Sequence, residues 1–345
     1  MLTSVRAAGL LATGALAFTL VLALLPACRK VTHAPAPDGH MAELARIALD
    51  HLPDGSPVLV GLSWTQVRES PFWKAIAPKL LAADDVKQVL DNVKSVCGID
   101  LIADFDSVVL SMPVDLDDAN MVALVKGRWD EDKIGNCIAA TSKQRGEDEA
   151  LTFSKENGVS VLQNAGEKIY LAWVAPDTFL YSASASDDSS RLEQLVHPRK
   201  PLSSNQLVMS LLQRVDAGDA VWMIAANPGQ IAAFKSEDAK SVKGLYGSLE
   251  LGEKAHGYLG MRFDTPDRAE IEARGGEDFL AEQKGKPQLK ELLHDSRVFV
   301  AGYDVVVEAR VSETKVAELA ERLSKMSDGE WLLVLSSLEK LMGGK

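Results

Sequence analysis

The sequence predicts an α+β fold made of two related lobes, each a mostly antiparallel sheet with helices packed on one face. Three observations predict it. Short apolar strands follow one another in meander-like runs, and amphipathic helix patterns stand between those runs. In each half, one apolar strand ends in Arg, an aromatic residue and Asp. Meandering strands beside helix pairs are typical of the α+β class.

The first 28 residues have the pattern of an export signal. Arg6 and the terminal amine form a positive start, an apolar run covers Leu10–Cys28, and the run closes in Leu25-Pro26-Ala27-Cys28. This order is typical of a secretory signal. The last four residues resemble the lipobox of bacterial lipoproteins, in which the cysteine thiol receives a diacylglycerol and becomes the mature N-terminus. The resemblance implies a signal peptide over residues 1–27 and lipidation of Cys28.

The same resemblance implies a location. It implies a lipid-anchored protein of the cell envelope that faces the periplasm or the exterior. Arg29 follows the cysteine, and the absence of Asp at that position favours the outer membrane over the inner one, by analogy with lipoprotein sorting. An uncleaved transmembrane helix over Ala7–Ala27 remains an alternative, because about 20 apolar residues suffice to cross a bilayer.

The net charge of the chain limits the classes of partner that we expect it to bind. The chain carries a formal net charge of −12, which argues against nucleic acid and against electrostatic attachment to anionic lipid. Attachment to the membrane would therefore come from the lipid anchor, and an envelope protein is a possible partner.

Two cysteines remain besides Cys28. They make an even number in an oxidising compartment, which predicts a disulfide between Cys97 and Cys137. Cys97 ends a helix-like run, and Gly98 suits the position after a helix. Closing a loop of about 40 residues would stabilise the fold by about 4 kcal/mol in the chain-entropy model. Two free thiols or half of a metal site stay open, although no nearby His completes a zinc set.

Turn signals divide the chain into four segments. Residues 1–27 are the signal peptide, 28–52 the lipidated N-terminus with a tether and a short helix, 53–200 the first lobe and 201–345 the second. The boundary between the lobes is placed in His197–Asn205 because of its Pro, Ser and Asn residues.

Elements of the first lobe follow in chain order. Helical spacing of apolar residues predicts a short helix over Met41–Leu52, and the turn signal Pro53-Asp54-Gly55 precedes a buried strand over Val58–Leu62. Thr65–Ala82 contains helix because its apolar residues share a face. Further strands are predicted over Phe105–Met112, Met121–Val125, Leu151–Ser154, Val159–Leu162, Ile169–Val174 and Thr178–Ala183, and a helix over Asp187–Val196.

The second lobe restarts with a similar pattern. Gly275-Gly276 is expected to break a helix-like run over Asp267–Gln283, and Arg297–Val311 holds one or two strands split near Gly302. Helices are predicted over Gln206–Val215, Pro228–Phe234, Thr314–Met326 and Glu330–Met342, and strands over Ala220–Ala226, Leu245–Leu251 and Ala255–Phe263.

The pattern shared by the two halves supplies the candidate site residues. It reads Gly127-Arg128-Trp129-Asp130 in one half and Met261-Arg262-Phe263-Asp264 in the other. In each, the Asp shares a strand face with the Arg. Asp130 suits a helix N-cap, and so does Asp264 or, with Pro266 as the first helical residue, Thr265. Two interpretations stay open: a repeated strand-to-helix corner whose arginine satisfies carbonyls or acids, and a paired anion site formed by both arginines.

Known catalytic and cofactor motifs are missing from the sequence. The acidic run Asp115–Asn120 lacks the Gly and Glu of a calcium loop, and Ser337-Leu338-Glu339-Lys340 has none of the partner motifs of penicillin-binding enzymes. No Walker A, Gly-x-Ser-x-Gly or zinc-protease motif occurs. The sequence therefore predicts no catalytic, cofactor-binding or metal-ligating residue. Enzymatic activity stays uncertain, with a non-enzymatic role favoured.

The predicted function follows from location rather than from chemistry. The apolar face of Trp331–Leu335 either covers the protein's own sheet or docks a partner. The opening Leu52–Gly55, with its strand and Trp-bearing helix, is similar to uncharacterised secreted bacterial proteins, which implies no activity. The favoured function is a lipid-anchored envelope protein with a scaffolding or binding role. An accessory subunit of an envelope transport or surface machine and a lipid-anchored hydrolase are the alternatives.

Overall fold

One antiparallel sheet of twelve strands runs through the described chain, in the order β11-β12-β10-β9-β8-β1-β2-β3-β7-β6-β5-β4. The structure is a computed structural model that describes residues 33–34, 39–54, 58–112, 121–144, 152–156, 159–164, 167–184, 197–230, 241–286, 290 and 293–326. The strands are Val58–Ser63 (β1), Phe105–Met112 (β2), Val122–Gly127 (β3), Thr152–Glu156 (β4), Val159–Asn164 (β5), Glu167–Ala175 (β6), Thr178–Ser184 (β7), Val221–Ala226 (β8), Val242–Leu251 (β9), Ala255–Phe263 (β10), Arg297–Ala301 (β11) and Asp304–Val311 (β12).

Nine helices lie among the described residues. They are Glu43–His51 (α1), Trp64–Glu69 (α2), Pro71–Ala82 (α3), Asp84–Cys97 (α4), Leu101–Asp104 (α5), Glu131–Gln144 (α6), Gln206–Leu212 (α7), Pro266–Gly285 (α8) and Glu313–Lys325 (α9). Local sequence explains several of their starts. The hydroxyl of Ser70 accepts a hydrogen bond from the backbone of Trp73, and Thr265 caps α8 in the same way, as expected of N-cap residues.

Alternation along the strands builds a core on both faces of the sheet. Leu59 belongs to the largest apolar cluster, which α1 and α7 cover. Its neighbour Val58 points to the opposite face and joins Leu245 in a separate cluster. On that opposite face, α4 and α6 cover one end of the sheet and α8 covers the other. Helices therefore pack against both faces of the one sheet.

The predicted α+β class and its antiparallel sheet are confirmed. The structure adds that strands from both halves join, because β1 pairs with β2 on one side and with β8 on the other. The segment between the halves also bonds to the start of the first. The backbone N–H of Leu202 donates to Leu52 at 2.7 Å, and that of Asp54 donates to Lys200 at 3.0 Å. No described helix is long and apolar enough to span a bilayer.

The expected break at Gly275-Gly276 is wrong. Helix α8 continues through both glycines from Pro266 to Gly285. Both are buried against the sheet, and a Cβ on Gly276 would lie 3.2 Å from a methyl group of Val298. Here the missing side chains let the helix axis approach β11, which offsets the low helix propensity of glycine.

Candidate functional site

The predicted disulfide is present and ties two helices together. Cys97 at the end of α4 and Cys137 in α6 are bonded, with their Cα atoms 4.4 Å apart. Gly98 follows with φ +63° and donates its backbone N–H to Lys94, so it ends the helix as predicted. Both sulfurs belong to an apolar cluster between the helices and the sheet. The bond therefore fixes a helical layer on one half of the sheet.

A chain of aromatic rings runs beneath that layer. Trp64 packs edge-on against Trp73 with ring centroids 4.5 Å apart. Contacts then continue across neighbouring strands through Phe105, Trp129, Phe179 and Trp173, at 5.0–6.4 Å between centroids. Trp129 is 8% exposed, and its indole N–H has no hydrogen-bond partner among the described residues. These rings form a continuous series of aromatic contacts, with spacings typical of aromatic pairs.

The first of the two repeated patterns is a structural corner. Arg128 donates to the carbonyl of Ala103 and lies 4.0 Å from a carboxylate oxygen of Asp104. Asp130 accepts a hydrogen bond from the backbone N–H of Lys133 at 2.7 Å, so it caps the first turn of α6. In this half the geometry agrees with the interpretation of a strand-to-helix corner.

In the second pattern, the arginine binds an acid from outside the repeated motif. Arg262 does not pair with Asp264, which is exposed. It binds Asp304 on β12 through two hydrogen bonds, at 2.8 and 3.3 Å, and a third N–H donates to Ser210. Arg214 adds a contact of 3.8 Å to the same carboxylate. The side chain of Asp304 is fully buried, so the two arginines compensate a charge inside the fold.

The two arginines do not form one anion site. Arg128 follows β3 and Arg262 lies on β10, and four strands separate β3 from β10. Strands lie about 4.8 Å apart, so the two positions are roughly 24 Å from each other. Each arginine is already bonded within its own half. The paired-site interpretation is therefore excluded by distance.

Acidic residues of the second half form a polar cluster that the sequence analysis did not single out. Burial alone would raise the pKa of Glu308, but hydrogen bonds from Arg297, His256 and Arg310 lower that pKa to about 2. All three partners lie within 2.5–2.8 Å of the carboxylate. Glu308 stands at the end of the apolar run of β12. A charged residue inside an apolar strand is the feature of the sequence that could have indicated a buried, paired acid here.

Asp219 lies beside this cluster with an opposite shift. Burial raises its pKa to about 6, although a hydrogen bond from Ser248 acts against the rise. The hydroxyl of Ser248 donates to the carboxylate at 2.6 Å. Asp216 and Glu250 add negative charge nearby and raise the pKa further. The environment of Asp219 therefore favours the protonated carboxyl group.

These polar groups do not make a nucleophilic pair. Ser248 donates to a carboxylate rather than to an imidazole, and His256 contacts Glu308. Nucleophilic catalysis by serine requires a base within hydrogen-bond reach of the hydroxyl. Within the described ranges, no group of three or more His, Cys, Asp or Glu side chains is arranged to hold a metal ion. The described side chains of the cluster instead bond to one another, with Ser248 on Asp219 and His256 on Glu308.

One apolar helix lies partly exposed on the surface of the described chain. Helix α3 carries mostly apolar side chains, yet Ala77 alone of them is buried. Leu80 is 43% exposed, and Trp73, Ile76 and Leu81 are half-buried. Helix α9 packs beside it, and Lys79 donates to the carbonyl of Met326 at the end of the described chain. We call this exposed side of α3 the α3 surface.

The predicted tether contacts the body of the protein. His33 forms a parallel bridge with Val300 on β11, and the backbone N–H of Ala34 donates to Val300 at 3.0 Å. The imidazole of His33 lies 3.9 Å from Glu270 on α8. Further along, Gly39 donates its backbone N–H to the carbonyl of Gln213 at 2.9 Å. His33, Ala34 and Gly39 thus all contact residues of the second half of the chain.

Several predicted features lie outside the described residues. They are Cys28 with the whole signal peptide, the acidic run Asp115–Asn120, the helix over Asp187–Val196, the Ser337–Lys340 match and the apolar segment Trp331–Leu335.

Comparisons with known proteins find little. No protein-family model matches the chain, and no curated protein matches it. Solved structures of the protein TP0453 are similar to it. Crystal form I is 12% identical, with a TM-score of 0.40 over 80% of this chain and 97% of that chain. Crystal form IV is 13% identical, with a TM-score of 0.43 over 81% of this chain and 96% of that chain. A likeness at this level carries no conclusion about function.

Proposed function

We propose that the chain is a non-enzymatic, lipid-anchored protein of the cell envelope with a scaffolding or binding role. The observation that carries the proposal is the bond between Cys97 and Cys137. Structural disulfides persist in oxidising compartments and are rare in the reducing cytosol. The leader that ends in Leu25-Pro26-Ala27-Cys28 supplies a route to such a compartment.

A binding role draws support from the α3 surface. Large exposed apolar patches on proteins mark interaction sites, and Leu80 of this surface is 43% exposed. The same observation favours the accessory-subunit role as a second candidate, because such a subunit needs a stable contact with its machine.

Acylation of Cys28 tests the anchor. Cells that express the full chain are grown with a labelled fatty acid, and the purified protein is analysed by mass spectrometry. We expect label on the wild type, a mature N-terminus at Cys28, and no label on Cys28→Ala. A double substitution of Cys97 and Cys137 by Ala is the matched cysteine control and keeps the label. A chain that retains residues 1–27 with a free Cys28 thiol contradicts the anchor.

Thiol trapping tests the compartment. Intact cells are quenched with acid and treated with a maleimide that adds mass to each free thiol. We expect Cys97 and Cys137 to stay unmodified until a reductant is added, because the bond forms after export. Modification of both cysteines without reductant places the body in a reducing compartment and overturns the proposal.

Purification of the native protein after crosslinking tests the α3 surface. Leu80→Glu places a charge in the apolar patch, and we expect it to remove co-purifying envelope proteins that the wild type retains. Val89→Glu on α4 is the control, since Val89 is 51% exposed and lies outside the patch. Equal recovery with both variants contradicts a role of this surface in binding.

A further inference from the structure

We propose that the sheet edge formed by β11, together with the exposed side of α8 next to it, is the surface that lies against the lipid bilayer. This inference rests on the proposed acylation of Cys28. It adds the orientation of the body, which the anchor alone does not define.

The tether meets the body at the β11 edge of the sheet. Ala34 donates its backbone N–H to Val300, so the tether extends the edge of the sheet at β11. The imidazole of His33 contacts Glu270 on α8 from the same position. The chain is therefore held at one edge of the sheet before it enters α1.

The short segment between Cys28 and His33 limits how far β11 can lie from the lipid anchor. His33 lies five positions after Cys28 in the sequence, and an extended chain spans at most about 3.5 Å per residue. The acylated cysteine therefore lies within roughly 17 Å of β11. The sheet itself is twelve strands wide, which is roughly 53 Å at a spacing of about 4.8 Å. A tether this short holds the β11 edge near the bilayer, while the β4 edge is free to point away.

Exposed aromatic and aliphatic side chains lie near the β11 edge. Tyr303 in the turn between β11 and β12 is 50% exposed, and Ile271, the neighbour of Glu270, is 49% exposed. Tyrosine is enriched where proteins meet the membrane–water interface. The charges beside Ile271 are paired, since Arg268 contacts Glu272 at 2.6 Å and Arg274 contacts Glu270 at 3.8 Å. Pairing lowers the cost of bringing these groups towards lipid.

Photocrosslinking to lipid tests the orientation. The acylated full chain is reconstituted into vesicles of phosphatidylethanolamine and phosphatidylglycerol, with benzoylphenylalanine placed at one position at a time. Tyr303 is matched to Tyr181 on β7, which is 37% exposed, and Ile271 to Val89 on α4, which is 51% exposed. After irradiation, lipid adducts are counted by mass spectrometry. We expect several-fold more lipid adduct at Tyr303 and Ile271 than at their matched positions.

A second variant tests the cause. Ala34→Pro removes the N–H that donates to Val300, and we expect the excess at Tyr303 and Ile271 to fall towards one. An excess that persists in this variant overturns the tether as the orienting element. Equal adducts at all four positions, in protein whose Cys28 is acylated, overturn the inference and leave the anchor standing. Absence of the acyl group overturns both.

Discussion

The carboxyl group of Asp219 makes the stability of the fold depend on pH. Its folded pKa, raised to about 6 by burial, lies above the usual value of 3.8. The folded state thus holds the proton more tightly than the unfolded state does, and low pH favours folding at this site. The resulting stability is fully present below the unfolded pKa and is lost as the pH rises from about 4 to about 6.

Replacing Asp219 by Asn should stabilise the protein at neutral pH. The amide keeps an oxygen for the Ser248 hydroxyl but has no charge to bury. We expect a gain of about 1 kcal/mol at pH 7.5, after allowance for solvent screening at a half-exposed group. The gain should shrink to zero near pH 4. Urea unfolding from pH 4 to pH 8 measures it, and a gain that does not vary with pH contradicts the assigned cause.

Asp304 is a buried acid with two arginine partners, whereas Asp264 is exposed to solvent. Asp304→Asn leaves Arg262 and Arg214 facing a neutral amide inside the fold. Removing one partner of a buried ion pair costs about 3 kcal/mol or more, so urea unfolding should show a large loss of stability. Asp264→Asn is the control and should change stability by less than about 0.5 kcal/mol, because the side chain is exposed. Equal effects would show that burial of Asp304 does not decide its contribution.

The hydroxyl of Tyr246 is buried near the charge of Asp304. Burial and the nearby charge of Asp304 raise its pKa above the usual value. The phenol therefore stays neutral across the physiological range, which suits a ring that is 0% exposed.

At the scale of elements, two aromatic rings lie over glycines of the neighbouring strand. Trp222 covers Gly61 across β8 and β1, and Tyr246 covers Gly260 across β9 and β10. A Cβ on Gly260 would stand 2.1 Å from the ring of Tyr246. The glycines therefore make room for large rings on the face of the sheet that α1 and α7 cover. Glycine commonly has this role where another group approaches the backbone closely.

Gly260→Ala should destabilise the sheet. The Tyr246 ring is fully buried and has no space to move, and overpacking a core costs about 1–3 kcal/mol. Gly285→Ala at the end of α8 is the control, since nothing lies within 4 Å of its added Cβ, and it should be neutral or slightly stabilising. Thermal unfolding of both variants checks the difference, and an unchanged melting temperature for Gly260→Ala contradicts the packing argument.

Periodicity predicted many elements because their side-chain patterns are local. Phe105–Met112 was predicted as a strand and is β2 without change. The predicted helix over Met41–Leu52 is α1, two residues shorter at its start and one at its end. The predicted split near Gly302 is the turn between β11 and β12, where Gly302 has φ +67°. In these cases neighbouring residues contain all of the information.

The sequence alone does not show which side chains of different strands contact one another across the sheet. The sequence places Arg262 and Asp264 on one strand face, but the acid that binds Arg262 is Asp304, on a strand that pairs with β10. The effect of the glycines of α8 was predicted wrongly because it depends on the sheet beneath them, where Val298 of β11 lies against Gly276. The disulfide was predictable, since the remaining cysteines were only two. Strand order follows from long-range pairing, which no local pattern encodes.

At the scale of the whole molecule, both halves share backbone and core. Strand β1 of the first half pairs with β8 of the second through five residues, and the largest apolar cluster contains side chains from both halves. A boundary between two independent units would cut through these contacts.

We expect the body to unfold as one unit in urea. The shared strand pair and shared core couple the halves, so circular dichroism and hydrogen exchange of peptides from β3 and β10 should report one midpoint. The Cys97–Cys137 bond is kept oxidised throughout. Two separated midpoints would show that the halves are energetically independent in spite of their common sheet.

Strand β1 is made early during synthesis, yet its second neighbour, β8, follows only after the whole of the first half. Until then one side of an apolar strand has free backbone donors and acceptors, which is the situation that invites mispairing. Pairing over such a separation in sequence is also slow. The pairing of β8 with β1 is therefore expected to be a late step in folding.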